Sequence, residues 1–351
     1  MNRIVVTTTL VILALVIVFG SACEPAANQN SPASTAKNAN KKIRIGFLMD
    51  AFQQERWQKD KAMFEARCKE LDAELILQAA DGDDDLQMKQ AESLLTQGVD
   101  VLVIVPHNAE VAGSIVDLAK RQNVPVISYD RLVKNSAPDL YVSFDNERVG
   151  ELQAKYLFDR KPTGNYILIG GAPTDNNSHL LRKGQLNILQ AAIDRGDIKV
   201  VANQWAKEWL AEEALKHVEN ALTNNNNDVV AIVMSNDGTA GGAIQALTAQ
   251  GLAGKVLVSG QDAELGALQR IVAGTQSMTV YKPIIKLAPA AVDAAVALAK
   301  GEKLNTTRTV NNGRIEVPSI LIEPVSVDKT NIDETVVKDG FQKREDIYGK
   351  P

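Results

Sequence analysis

The sequence predicts an α/β protein built from two similar lobes, each a doubly wound parallel sheet, joined by a three-segment hinge. Three observations lead there. From Ile43 onward, short apolar runs alternate with stretches whose apolar residues recur every three or four positions, the pattern of parallel strands covered on both faces. More of these units follow one another than a single compact sheet usually holds. The length, 351 residues, accommodates two domains of ordinary size.

The elements are justified in order from the N-terminus. Met1–Arg3 is a short basic segment, and Ile4–Gly20 is an apolar run that reads as an export signal rather than a membrane span. It ends in Gly20-Ser21-Ala22-Cys23, which is similar to a bacterial lipoprotein cleavage site, with Gly20 where Leu is usual. Residues 1–23 are therefore expected to be a lipoprotein signal peptide with Cys23 as the lipidated residue; an ordinary secretory signal is the alternative. Two acyl chains on Cys23 would anchor the protein stably at a membrane surface. Residues 24–42, rich in Ala, Asn, Ser and Pro, have no apolar period and are expected to be a disordered tether.

Strands are then expected at "IRIGFLM" (43–49), "ELILQ" (74–78), "VLVIV" (101–105) and "VPVISY" (124–129). A second set comprises "NYILIG" (165–170), "IKVVANQ" (198–204), "VVAIVM" (229–234), "VLVSG" (256–260) and "SMTVY" (277–281). Helical spacing recurs between them, for example at Leu86–Leu95, Val149–Leu157 and Ala240–Leu247, and again at Ile284–Lys300. A polar stretch (301–313) leads to a last strand-like segment, "VPSILIEPVSV" (317–327). The N-terminal lobe is expected to span 43–144 plus 284–314 and the C-terminal lobe 145–283 plus 315–351, with hinges near 144–147, 281–284 and 312–316.

Composition narrows the function. A net charge of −5 argues against a nucleic-acid partner, and 45% hydrophobic with 23% charged residues is ordinary for a globular protein. With Cys23 lipidated, Cys68 is the only free thiol. It shares a helical face with Phe64 and Leu71 and is expected to be buried and inert.

Ligands of open parallel sheets bind outside the carboxyl ends of the strands, and polar residues and tryptophans collect there. Trp57 follows the first strand inside "QERWQKD", among Glu55, Arg56, Lys59 and Asp60; it either begins the core stripe that continues at Phe64 or faces a cleft. Trp209 is read as sharing a solvent-side helical face with Glu212, Glu213 and Lys216, off the stripe Ala211, Ala214, Leu215, Val218, Ala221 and Leu222. Further strand ends carry Asp130-Arg131, Asp175 with Asn177, Asn236, Asp262 and Lys282. Each Asp or Asn alone is as well explained as a helix N-cap, and Asp130-Arg131 as an ion pair. Their recurrence in both lobes beside aromatics suits a sugar: carboxylates, amides and guanidinium groups grip vicinal hydroxyls, and C–H faces lie on aromatic rings. Trp57 would then lie over the sugar ring, with Arg56 and Lys59 at its hydroxyl edge.

The segments "ERWQKD", "GVDVLVIVPHN", "YDRL", "SFDNERVGELQAK", "NQWAKEWL", "SNDGTAGGAIQALTAQGL", "SGQDAE", "AGTQSMTVYKP" and "TVVKDGF" carry a resemblance over about residues 43–341. The chain resembles the substrate-binding proteins of bacterial sugar ABC importers, in the ribose/galactose-type class. The resemblance implies the type I periplasmic-binding-protein architecture, no cofactor, and a monomer that closes on a pyranose pentose, D-xylose ahead of ribose, arabinose, glucose or galactose. It also implies a sandwich between Trp57 and Trp209, with hydroxyls held by Arg56, Lys59, Asp130, Arg131, Asp175, Asn177, Asn236, Asp262 and Lys282. The implied partners are ABC permease subunits, and a chemoreceptor if the protein instead presents sugar for signalling. His107 stands where the resemblance leads one to expect an aromatic.

Other readings fare worse. His107, His179 and His217 form no metal or triad pattern, and no phosphate-binding G-x-x-x-x-G-K loop occurs, so no catalysis is expected. "DGDDDLQMKQAE" places Asp81, Asp83, Asp85 and Glu92 at calcium-loop spacing, but Leu86 holds the position that needs glycine; acids at a helix N-terminus explain the run better, and no metal is expected. A sugar-responsive repressor of the same fold would need a DNA-binding helix pair where this chain has an export signal.

Overall fold

The apolar runs fold as strands whose side chains alternate between two helix-covered faces. The computed structural model describes residues 41–349 except 305 and 307. The export signal, Cys23 and the tether up to residue 40 lie outside the described residues. In the first lobe β1 (Arg44–Met49), α1 (Glu55–Glu70), β2 (Glu74–Ala79), α2 (Asp84–Thr96), β3 (Val101–Ile104), α3 (Gly113–Arg121), β4 (Val126–Tyr129) and β5 (Leu140–Phe144) follow in turn. The second lobe contributes α4 (Asn146–Phe158), β6 (Gly164–Gly170), α5 (Asn176–Asp194), β7 (Ile198–Trp205), α6 (Ala211–Asn224), β8 (Ala231–Met234) and α7 (Asp237–Ala249). It continues with β9 (Leu257–Val258), α8 (Leu265–Ala273) and β10 (Thr279–Tyr281). The chain ends with α9 (Ile284–Ala299), β11 (Arg308–Asn311), β12 (Glu316–Ile322), β13 (Val325–Val327) and α10 (Arg344–Tyr348).

Among the described residues, seven strands form one sheet in the order β11-β12-β5-β4-β3-β1-β2, parallel throughout except for the β11–β12 pair. A second, all-parallel sheet has the order β7-β6-β8-β9, and β10 pairs antiparallel with β13. Both sheets are wound on two faces. Ile45, Phe47 and Val103 pack with Phe64 of α1 and Leu287, Ala291 and Val292 of α9, while Leu48, Leu102 and Ile104 pack against Leu94 of α2 and Ile115 and Val116 of α3. In the second sheet Ile167, Ile169, Ile232 and Met234 face Ala214, Val218 and Leu247; Tyr166, Leu168 and Val233 face Leu157 and Leu189.

The structure corrects the sequence reading at the third crossing. Residues 315–322, assigned to the C-terminal lobe, include the whole of β12, which pairs in the first sheet with Ser319 opposite Tyr141 and Ile322 opposite Phe144. The chain leaves that sheet between β12 and β13, at 322–325 rather than 312–316. The reason is local: Asn312-Gly313 turns the chain back as a hairpin, with Asn311 paired to Glu316 and Gly313 at φ 96°. Strands β5 and β11 also escape the apolar-run reading. At the other crossings, β5 passes into α4 at 144–146 and β10 into α9 at 281–284.

Two smaller expectations meet their physical cause. Cys68 is buried, and burial pushes its thiol up to about 12, although Leu71 on the same face is 37% exposed. The acidic run opens α2, where the Asp83 carboxylate accepts from the Leu86 backbone N–H at 2.8 Å and Asp84 and Asp85 occupy the first turn.

Candidate functional site

All strands of a parallel sheet point their carboxyl ends the same way, so the turns after them gather in one row. Asp50 follows β1, His107 lies just beyond β3 and Asp130-Arg131 follow β4. On the facing lobe Asp175 follows β6, Trp209 lies beyond β7, Asn236 follows β8 and Asp262 lies beyond β9. Arg56 and Trp57 sit in the first turn of α1, and Lys282 follows β10.

Two adjoining cavities lie between these rows. The inner one is lined by Arg56, Trp57, Asp130, Arg131, Asp175, Asn177, Trp209, Asn236, Asp262 and Lys282, together with Gln54 and Gln261. The outer one, about 110 Å³, shares Gln54, Trp57, Arg131 and Trp209 and adds Asp50, His107 and Glu208 among others. Ten of the eleven binding residues expected from the sequence are thus brought together.

Lys59 is not among them. Its ammonium donates to the Phe341 backbone carbonyl at 2.6 Å and lies 4.3 Å from the Phe341 ring centroid. It sits three residues from Arg56 on α1, but its long stem carries the charge toward the C-terminal segment and away from the cavities. Trp209 is also corrected. It does not ride on α6 but ends a short 3₁₀ turn, Lys207–Trp209, and is only 8% exposed; Ala211, read as part of the buried stripe, is exposed. Both Glu208 (φ 51°) and Trp209 (φ 57°) adopt left-handed backbone. That turn swings the indole onto Gly171, where an added Cβ would lie 2.2 Å from the ring.

Charge in the inner cavity is paired throughout. Arg56 Nη1 lies 2.8 Å from Asp130 Oδ1, and its Nε lies 3.2 Å from Asp60 Oδ2. Lys282 Nζ lies 3.0 Å from Asp262 Oδ1. Arg131 bridges Asp50 (2.6 Å) on its own lobe and Asp175 (2.9 Å) on the other. Burial pushes the Asp130 carboxyl upward, but Arg56, Lys282 and Arg131 outweigh it and hold the group below its ordinary range. At Asp175 burial wins, only partly offset by Arg131. Tyr129 donates to Asp60 at 2.5 Å, fixing the acid that holds Arg56.

At Asp175 and Asn236 a helix cap and a place in the cavity wall coexist. Asp175 caps α5 by accepting from the Asn177 N–H at 2.9 Å, and its other oxygen accepts from Trp209 Nε1 at 3.2 Å. Asn236 caps α7 by accepting from the Thr239 N–H at 3.0 Å, leaving its Nδ2 buried without a partner. Trp57 likewise belongs to the core cluster with Phe64 and lines both cavities. Arg56 lies 4.2 Å and Arg131 5.4 Å from its ring centroid.

Sequence reasoning missed Asp50, Gln54, Glu208 and Gln261. Asp50 had a readable signal, since "FLMD" ends β1 as "ISYD" ends β4. His107 Nδ1 lies 2.9 Å from Asp50 and 3.7 Å from Glu208 of the other lobe; its hydrogen bond to Asp50 raises its pKa. Left-handed backbone recurs at Asp130 (φ 59°), Asp262 (φ 99°) and Ala263 (φ 51°), and such strain persists where the surroundings enforce it.

A row of carboxylates paired with cations between two tryptophans can exchange hydrogen bonds with a neutral, hydroxyl-rich ligand. Fold and site define a two-lobed binding protein of type I architecture. The chain belongs to the periplasmic binding protein domain family, whose pattern matches residues 45–303. Among characterised relatives, the D-xylose-binding periplasmic protein of Haemophilus influenzae is 53% identical over 88% of this chain and 93% of its own length. The D-xylose-binding periplasmic protein of Escherichia coli is 52% identical over 88% and 93%. Among solved structures, a carbohydrate transporter solute-binding protein of Chloroflexus aurantiacus in complex with D-glucose superposes with a TM-score of 0.84 at 29% identity, covering 89% of this chain and 100% of that one.

Proposed function

We propose that this protein is the extracytoplasmic receptor of an ABC sugar importer and that it binds a pyranose pentose, D-xylose. The observation that carries the reading is the inner cavity, where Trp57 and Trp209 from opposite lobes meet paired Arg56–Asp130 and Lys282–Asp262. Two relatives above half identity, both described as D-xylose-binding, support the choice of sugar.

The sugar ring lies between the two indoles, and its hydroxyls bond the carboxylates, amides and cations around it. Two lobes crossed at 144–146, 281–284 and 322–325 close by bending there, and the closed form docks on membrane permease subunits. A chemoreceptor is a further partner for the same closed form. Cys23 carries the lipid anchor, and the segment after it gives the receptor reach.

Calorimetry of the part from Lys41 onward with D-xylose, D-ribose, L-arabinose, D-glucose and D-galactose tests the reading. Tight binding of D-xylose with the others much weaker is expected; tight binding of another of them keeps the receptor and corrects the substrate. No binding to any removes the sugar reading. For the anchor, a Cys23→Ala variant should release the protein from membranes, and unchanged membrane retention would sink that element alone.

A further inference from the structure

Four described residues lining the inner cavity have a buried side-chain oxygen or nitrogen without a hydrogen-bond partner: Asp130, Asn236, Gln261 and Asp262. Asp130 and Asp262 are held by ion pairs at 2.8 and 3.0 Å, and Asn236 is already fixed as the cap of α7. Gln261 has no such explanation. It is only 4% exposed, and its Oε1 is buried and unpartnered. Nearby buried amides are committed to bracing the fold: Gln276 Nε2 donates to Asp237 at 2.8 Å, and Gln153 Nε2 to the Ser235 carbonyl at 3.1 Å. Gln54, which also lines the cavity, is half-buried, so water can serve it. A fully buried carbonyl oxygen has no such recourse, and leaving one unpaired is costly enough to need an explanation.

The backbone beneath this side chain is pinned. The Gln261 carbonyl accepts from the Asp237 N–H at 2.9 Å, and the next residue, Asp262, donates to Val280 at 2.8 Å. On the other side, a Cβ on Gly260 would lie 2.0 Å from Asp237 Oδ1 and 2.4 Å from Gln276 Nε2, so only glycine fits. Pinning on both sides fixes the main chain, and burial confines the side chain it carries. An uncharged acceptor held this way selects a donor. Asn236 Nδ2, an unpartnered donor lining the same cavity, supplies the complementary half of what sugar hydroxyls require.

We infer that Gln261 is a specificity-determining contact, its amide oxygen accepting a hydrogen bond from one hydroxyl of the bound sugar. The inference rests on the sugar-receptor reading above. It distinguishes Gln261 from the charged residues: the carboxylates accept from several hydroxyl arrangements, whereas one fixed neutral acceptor reads a single position.

The experiment is calorimetry of the whole chain, wild type and Gln261→Leu, with D-xylose and its 2-, 3- and 4-deoxy analogues. Gln261→Met, equally long and flexible, runs in parallel, and thermal unfolding checks that both variants fold. The expected result is a five- to hundredfold weaker D-xylose complex, the range for one lost buried hydrogen bond (about 1–3 kcal/mol). The wild-type penalty for one deoxy position, and only one, should collapse to about twofold in both variants. D-xylose affinity within twofold of wild type would overturn the inference. So would a loss spread evenly over D-xylose and every analogue, which would make Gln261 a structural brace. Wild type that binds no sugar overturns the receptor reading instead, and the inference with it.

Discussion

At Trp209 two consecutive residues, Glu208 and Trp209, hold left-handed backbone, which non-glycine residues adopt at a cost of about 1–3 kcal/mol each. The turn places the indole in the cavity wall and leaves its N–H on Asp175. Truncation should therefore act on binding first. Trp209→Ala is expected to weaken D-xylose about thirtyfold or more, the loss of a central tryptophan anchor at about 2 kcal/mol or above; calorimetry measures it, and unchanged affinity in a folded variant would remove the sandwich. Lys59 gives the opposite expectation. With its ammonium on the Phe341 carbonyl, Lys59→Met should leave affinity within twofold and lower unfolding stability by roughly 1 kcal/mol, as denaturant titration would read. A large affinity loss would return Lys59 to the site.

At the scale of elements, the helix starts carry the design. Helices α5 and α7 begin at residues that line the cavity, so Asp175 and Asn236 satisfy backbone N–H groups while staying fixed in the cavity wall. Capping does not exclude a place in the cavity wall, because one side chain has two ends to offer. The strand end before α5 sets a tight tolerance as well. Gly171→Ala would push a methyl into the Trp209 ring, and overpacking of this kind typically costs about 1–3 kcal/mol. The expected outcome is a folded protein with affinity reduced about tenfold and altered tryptophan fluorescence. An unperturbed spectrum and affinity would show that the turn gives way easily.

Across the whole molecule, the lobes touch through charge as well as through the cavity. Arg131 reaches Asp175, the Ala109 N–H donates to the Thr174 carbonyl at 3.0 Å, and His107 faces Glu208. The groups facing His107 are Asp50 just after β1, Asp84 from α2 and Glu208 from the opposite lobe, with Arg131 behind Asp50. They raise its pKa above the ordinary 6.5. The raised pKa means the protonated form is favoured in the folded protein. Its stabilising contribution is then complete below about 6.5 and is lost as pH climbs through the raised value. Thermal unfolding followed from pH 5.5 to 8.5 should show this loss in wild type and a flatter profile in His107→Phe; parallel profiles would exclude His107 as the source. Sugar that binds only the folded lobes should also stabilise them, by about 2.7 kcal/mol at a hundredfold excess over Kd, which calorimetric melts with and without D-xylose will read.

The alternation of apolar runs and helical spacing was sufficient to give two doubly wound sheets, because burial on both faces leaves its mark on nearly every residue of a parallel strand. It was sufficient, too, to bring ten of the eleven candidate residues to one cavity, since a parallel sheet gathers all its carboxyl ends on one side whatever the loops do. Position along the chain could not tell Arg56 from Lys59: both lie on α1, and only the tertiary contacts of their long side chains decide that one meets Asp130 and the other Phe341. Nor could it assign β12, because a strand joins whichever sheet offers a free edge, and the Asn312-Gly313 hairpin delivers it to β5. Gln261 stayed unread for the same reason. A glutamine in a polar turn looks like any other until the fold has committed Gln276 and Gln153 to hydrogen bonds and left this one buried in the cavity wall.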